Sequence, residues 1–226
     1  MSGRESQAAI LAKLDAVDEE RRLRSGDATL AVRSRAVREY QAERFRRTYD
    51  DLLASPASRD AALFFLNELY GEQDFLDRDT QFRRIVPGLV RLFPAEVVQT
   101  VLELAELHSL SERMDTRMAQ AFEGSPPLDD ERYARAWRVV GEPLSRARQV
   151  ELVGRIGQAL VRYTRHPTLG RALRMMRLPA RAAGLSALQA FLERGFDTFA
   201  AMHDPQAFLD TVRRREDEFA ARLFAG

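Results

Sequence analysis

Cysteine is absent from the 226 residues, which removes disulfide frameworks, thiol nucleophiles and cysteine metal sites at once. Histidine is scarce: the three present are His108, His166 and His203, and no two share the helical spacing that a histidine metal site uses. Lysine is almost missing, with Lys13 the only one among 35 basic residues, a bias read as GC-rich coding rather than selection for arginine chemistry. No apolar run approaches the roughly 20 residues needed to cross a bilayer. The first twenty residues turn acidic after a short apolar patch, so no secretory signal is expected. No stretch alternates with period two and no repeat of fixed length is visible, so no sheet and no solenoid is expected. There is no G-x-S-x-G. Gly154 and Gly157, in GRIG, follow a helical stretch rather than a strand, which reads as close helix contact rather than a phosphate loop. No cofactor is expected, and a cytoplasmic protein of bacterial type is the simplest reading.

What remains is ordinary in amount and uneven in arrangement. Hydrophobic residues make up 45% and charged residues 31%, enough for a buried core in one large domain or two small ones. The net charge of +1 conceals an asymmetry. Residues 1–131 carry 18 basic and 25 acidic side chains, a balance of −7, whereas residues 132–181 carry 12 arginines against Glu142 and Glu151, a balance of +10. The last 45 residues carry 5 basic and 7 acidic groups. The cationic middle therefore faces an anionic remainder.

Nearly every segment has helical periodicity, which predicts an all-α bundle of about eight to ten helices. Expected helices run from 5 to 24, from Asp27 to about Leu53, from Asp60 to Tyr70, through Phe82 and Leu89 with a kink at Pro87, and from Pro94 to Phe122. Beyond the Gly124–Leu128 linker they lie near 129–141, 143–165, 167–178, 180–194 and 205–224. The linker divides the chain into an acidic half, 1–123, and an arginine-rich half, 129–226, which could still form one continuous domain. In the helix that carries FFLNELYG, Leu63, Leu66, Asn67 and Tyr70 form one face with Phe64, Phe65 and Leu69 beside it, so burial on most sides is expected, and Gly71 suits a helix end.

The helix over 94–122 is the most informative. Val97, Val101, Leu104, His108, Ser111, Asp115, Met118 and Phe122 follow steps of four and three, a packing seam with a polar insert. Glu106, Arg113 and Arg117 fall on the opposite, solvated side. The candidate binding residues are Tyr70, Arg78, Asp79, His108 and Asp115, expected to meet in one polar junction. Arg78 is expected to pair with Asp115, with Asp79 capping its helix or partnering His108. The structural reading is that these groups satisfy one another and fix helix register. The functional reading is that they line a site. A metal held by His108 with Asp74, Asp77 and Asp79 is the weaker reading, because acids at a helix start serve as caps and dipole partners.

Arg171, Arg174, Arg177 and Arg181, in a row expected to bend at Pro179, could with Arg162, Arg165 and His166 form a basic face for phosphate or nucleic acid. Only Tyr163 supplies an aromatic ring nearby, so the favoured reading is a face that is solvated or paired with the acidic half. Trp137 reads as core or an interface anchor.

FFLNELYG, the Arg78-Asp79 pair, ELHSLSERMD, GFDTFAAM and the closing RREDEFAARLF together resemble a family of uncharacterised bacterial helical proteins, over residues from about 60 to the end. The resemblance implies an all-helical cytoplasmic protein and no reaction. Two functions remain. The first is a non-enzymatic interaction or regulatory protein, with a protein partner or a second copy of itself and with neither nucleic acid nor membrane. The second is a small-molecule-binding or hydrolytic bundle with a pocket between the 60–70 and 94–122 helices. Convergence of His108, Asp115, Tyr70 and Asp79 on an open cavity would favour the second.

Overall fold

The computed structural model describes residues 2–68 and 76–225. Some of its helices begin where short polar side chains satisfy free amides. Ser2 and Glu5 form a reciprocal capping box at the start of α1 (Gly3–Ser25). The Asp27 carboxylate accepts from the Thr29 and Leu30 amides to open α2 (Ala28–Thr48). There follow α3 (Asp50–Ala54), α4 (Arg59–Glu68), α5 (Leu76–Leu92), α6 (Ala95–Ala121), α7 (Asp130–Val140) and α8 (Pro143–Thr164). The chain ends in α9 (Pro167–Met175), α10 (Arg177–Ala182), α11 (Ser186–Ala201) and α12 (Pro205–Ala225). The fold is an all-α bundle with no strand among the described residues. Ten of the helices have nine residues or more, and α3 and α10 are short. Among the described residues no helix is long and apolar enough to cross a membrane.

The 27-residue α6 is the axis of the molecule, packed against α1, α2, α5, α7 and α8. Three apolar clusters surround it. One joins Ile10 and Leu14 of α1 to Phe82 and Val86 of α5 and Leu188 of α11. A second gathers Val37 and Tyr40 of α2, Met118 of α6, and Tyr133 and Trp137 of α7. The third joins Phe45 and Tyr49 to Phe65 of α4, Phe199 of α11 and Phe208 of α12. Each cluster draws on residues from both sides of the 124–128 connection.

Several elements differ from the sequence expectation for local reasons. The helix expected from 27 to 53 breaks at Tyr49, where the backbone leaves helical geometry and the buried phenol donates to Glu216 of α12 at 2.6 Å. The row expected to bend at Pro179 is interrupted earlier, at Met176, and Pro179 sits within the first turn of α10. The following helix starts at Ser186, because Gly184 turns the chain with φ of 69°, a conformation that favours glycine. Helix α5 continues through Pro87.

On α4 the buried residues are Ala61, Ala62, Phe65, Leu66 and Glu68, while Asn67 is exposed. Leu63 and Phe64 are half-buried, so the helix is enclosed on most sides, as expected, with Asn67 the exception. Glu106 does not lie on a solvated side of α6, because Arg148 of α8 pairs with it, whereas the Arg113 side chain stays largely exposed and pairs with Glu142 just before α8. Arg117 is exposed but also pairs with Glu142. Many arginines of the cationic middle are paired within the chain, as in Arg155–Glu103, Arg162–Glu96, Arg174–Asp197 and Arg177–Glu193.

Candidate functional site

Charged residues occupy core-facing positions on helix after helix. The buried face of α1 steps from Ile10 through Leu14 and Val17 to Arg21 and the buried Arg24, in intervals of four and three. On α2 the same rhythm runs Leu30, Ser34, Val37, Gln41, Arg44. On α6 it brings His108, Ser111, Glu112 and Asp115 inward. These three stripes meet, with the end of α4 and the start of α5, in one continuous polar network.

At one end Glu68 accepts from Arg78 at 2.9 Å and from Arg194 of α11 at 2.7 Å. Arg78 also lies 3.9 Å from the neighbouring Asp79 carboxylate. Asp79 Oδ2 is 2.7 Å from His108 Nε2 and accepts from Arg21 at the same distance. Arg21 leads on to Glu112, 3.8 Å away. Glu112 is 7% exposed and is held by Arg24, which also donates to Thr116, and by Arg38 at 3.4 Å. Arg38 then reaches Asp115 at 3.5 Å, and Gln41 donates to the same carboxyl at 3.2 Å.

The electrostatics follow from who is paired with how many cations. Burial alone would raise the Asp79 carboxyl, but the hydrogen bond from His108 and the positive charges around it hold it below the usual carboxylate range. Burial likewise works against Glu112, and Arg38, Arg24 and Arg21 together win, so it too stays low. Asp115 has the opposite balance. Its burial outweighs the attraction of Arg38, and the adjacent Glu112 charge adds to the rise, so its carboxyl is pushed up.

The network forms part of the wall of a cavity of about 230 Å³. Asp79, His108, Ser111 and Asp115 all line it. From Val101 to Asp115 the α6 portion of the wall extends about 21 Å at 1.5 Å per residue. Its two ends differ. Ile85, Leu89, Val101, Leu104, Val150 and Val153 make one end apolar. At the other, Gln149 donates to Ser111 at 3.0 Å, Arg146 donates to Gln149 at 3.3 Å, and the Arg146 guanidinium lies 3.9 Å over the Trp137 ring. The Trp137 indole N–H has no hydrogen-bond partner among the described residues although the side chain is buried. A buried donor left without an acceptor costs about 1–3 kcal/mol.

Four of the five sequence-selected residues thus belong to one network, and Tyr70 lies outside the described residues, as do Gly71 and Asp74. The expected pairing needs correction. Arg78 bonds Glu68 rather than Asp115, because the start of α5 lies beside the end of α4, while Asp115 sits about 10 Å along α6 from His108, opposite α2. Asp79, in the first turn of its helix, partners His108. Sequence reasoning passed over Glu68 and Glu112, which stand inside the two quoted motifs, and Arg21, Arg24, Arg38 and Arg146. Their signal was the continuation of an apolar stripe into charged residues. Among the described residues no group of three or more metal-ligating side chains is arranged to hold an ion. No curated protein and no solved structure matches the chain. A family model described as Domain of unknown function (DUF8198) matches residues 20–226, most of the chain's length, and the chain belongs to that family.

Proposed function

We propose that the protein binds a small amphiphilic molecule in the cavity along α6. The observation that carries the reading is the convergence of Asp79, His108 and Asp115 on the wall of one cavity whose other end is apolar. Its volume of about 230 Å³ lies between the ~150 Å³ that holds a benzene ring and the ~300 Å³ at which drug-sized pockets begin. That suits a ligand of about a dozen non-hydrogen atoms. His108 commits Nε2 to Asp79 and makes no other hydrogen bond among the described residues, which leaves Nδ1 available to a ligand. The reading of an interaction or regulatory protein drew on the charge asymmetry. Much of that asymmetry is met inside the chain, by pairs such as Arg148–Glu106 and Arg162–Glu96, so the pocket is the better supported of the two.

Gly154 provides the test. It lines the cavity, and a Cβ built on it meets no atom within 4 Å. Gly154→Leu should fill the apolar end while its better helix propensity, worth up to about 1 kcal/mol, keeps or raises the melting temperature. Native mass spectrometry of the protein purified from cells is expected to show a bound small molecule on the natural chain and none on this variant. Equal occupancy of both would place the ligand elsewhere.

A further inference from the structure

We infer that α9 and α10 form a docking surface for an anionic lipid bilayer, with Met175 and Leu178 entering the headgroup region between arginines. From Leu152 to Leu192 the chain holds seven arginines and no acidic residue. Four of them, Arg155, Arg162, Arg174 and Arg177, find acids elsewhere in the chain. Arg165, Arg171 and Arg181 are exposed and have no ion pair among the described residues.

Packing decides which side of these helices faces outward. Helix α9 rests on α11 and α8, with Gly170 so close to the Phe196 ring that an added Cβ would lie 2.6 Å from Phe196 Cε1. Away from that contact, Leu169, Ala172 and Met176 recur at intervals of three and four, and all three are exposed. Met175 and Leu178 are each 79% exposed. Apolar side chains left in water favour any surface that removes them from it.

The chemistry of the patch selects the occupant. Arg171 precedes Met175 by one turn and Arg181 follows Leu178 by one, so each apolar tip has a cation beside it. An arginine stem can lie along apolar matter while its guanidinium stays with the phosphates. Apolar tips set among cations are the composition of a segment that lies in a bilayer interface, and anionic lipid attracts each arginine that comes near it. A protein partner of the same charge would have to offer pockets for the separate methionine and leucine tips. A nucleic acid would draw on the charge and leave the tips in water. Lying on a bilayer needs no spanning run, so the absence of one does not count against this surface. The inference stands independently of the cavity.

Flotation of the full chain with lipid vesicles tests it. The protein is expected to float with vesicles of equal parts phosphatidylcholine and phosphatidylglycerol, to stay behind with phosphatidylcholine alone, and to be released as salt is raised. Met175→Ser with Leu178→Ser should weaken binding at least about tenfold, because the apolar contact with the bilayer is lost. Arg171→Gln with Arg181→Gln should weaken it about fivefold for each charge removed. All four side chains are exposed, so the melting temperature should stay at the natural value and separate lost binding from lost fold. Binding that survives the serine pair unchanged would reduce the surface to charge alone and overturn the docking, as would equal flotation with neutral vesicles. No flotation with the anionic vesicles would also overturn it, and retention on immobilised polyglutamate would then assign the patch to an acidic protein.

Discussion

Asp115 and Glu112 sit one turn apart on the same helix and respond to burial in opposite ways. Glu112 is surrounded by Arg21, Arg24 and Arg38, and its removal would strand buried cations. Glu112→Gln is expected to lower the unfolding free energy by about 3–5 kcal/mol, the cost of breaking a buried ion pair from one side, measurable by urea titration. Asp115 has its folded pKa raised by burial. A group of that kind contributes stability that is full below its unfolded pKa, near 4, and is lost as pH rises through the folded value. Asp115→Asn keeps an acceptor for Gln41 and removes the ionisation. Its melting temperature should therefore be close to that of the natural chain in mild acid and should exceed it increasingly toward alkaline pH. A difference that stays flat with pH would mean that Asp115 is ionised at little cost.

Among the elements, α8 shows how two glycines three residues apart serve different ends. A Cβ on Gly157 would lie 2.4 Å from Leu209 Cδ2 of α12, and Leu209 is itself locked in an apolar cluster with Phe65 and Phe208. Gly157→Ala gains about 1 kcal/mol of helix propensity but overpacks the contact by about 1–3 kcal/mol. A net loss of about 1 kcal/mol is expected in thermal unfolding. Gly154→Ala, facing open space, should instead gain up to about 1 kcal/mol. The sequence motif GRIG was readable as close helix contact, and this holds for Gly157. That Gly154 borders a cavity was not readable, because both glycines have the same local context and differ only in what lies across from them.

For the whole molecule, the ion-pair network ties α1, α2, α4, α5, α6 and α11 together through side chains that are mostly shielded from water. Asp79 and Glu112 have folded pKa values held below their unfolded ones. Their contribution is present above the unfolded pKa, near 4, and is lost as pH falls through the folded values. Acid unfolding below about pH 4 should accordingly be cooperative across near- and far-ultraviolet circular dichroism, and Asp79→Asn, which resembles the protonated side chain at every pH, should be less stable near neutrality and should unfold in acid at a higher midpoint pH with a shallower pH dependence. Separate transitions for the two halves of the chain would mean that the network does not couple them.

The sequence by itself determined the fold class, the Asp27 start of α2, and the presence of a polar insert in the seam of α6. These depend on periodicity and on residues close in the chain, which is where helix formation is decided. It also singled out His108 and Asp79 as candidates to meet, since both occupy core-facing positions within marked motifs. It did not determine partners. Arg78 and Asp115 were compatible by charge, but α4 brings Glu68 to Arg78 and α2 brings Arg38 and Gln41 to Asp115. An arginine inside an apolar stripe signals that an acid must come from somewhere, and only the packing of distant helices names which one. The cavity belongs wholly to the tertiary structure, because an empty volume is bounded by residues far apart in the chain and no local pattern encodes it.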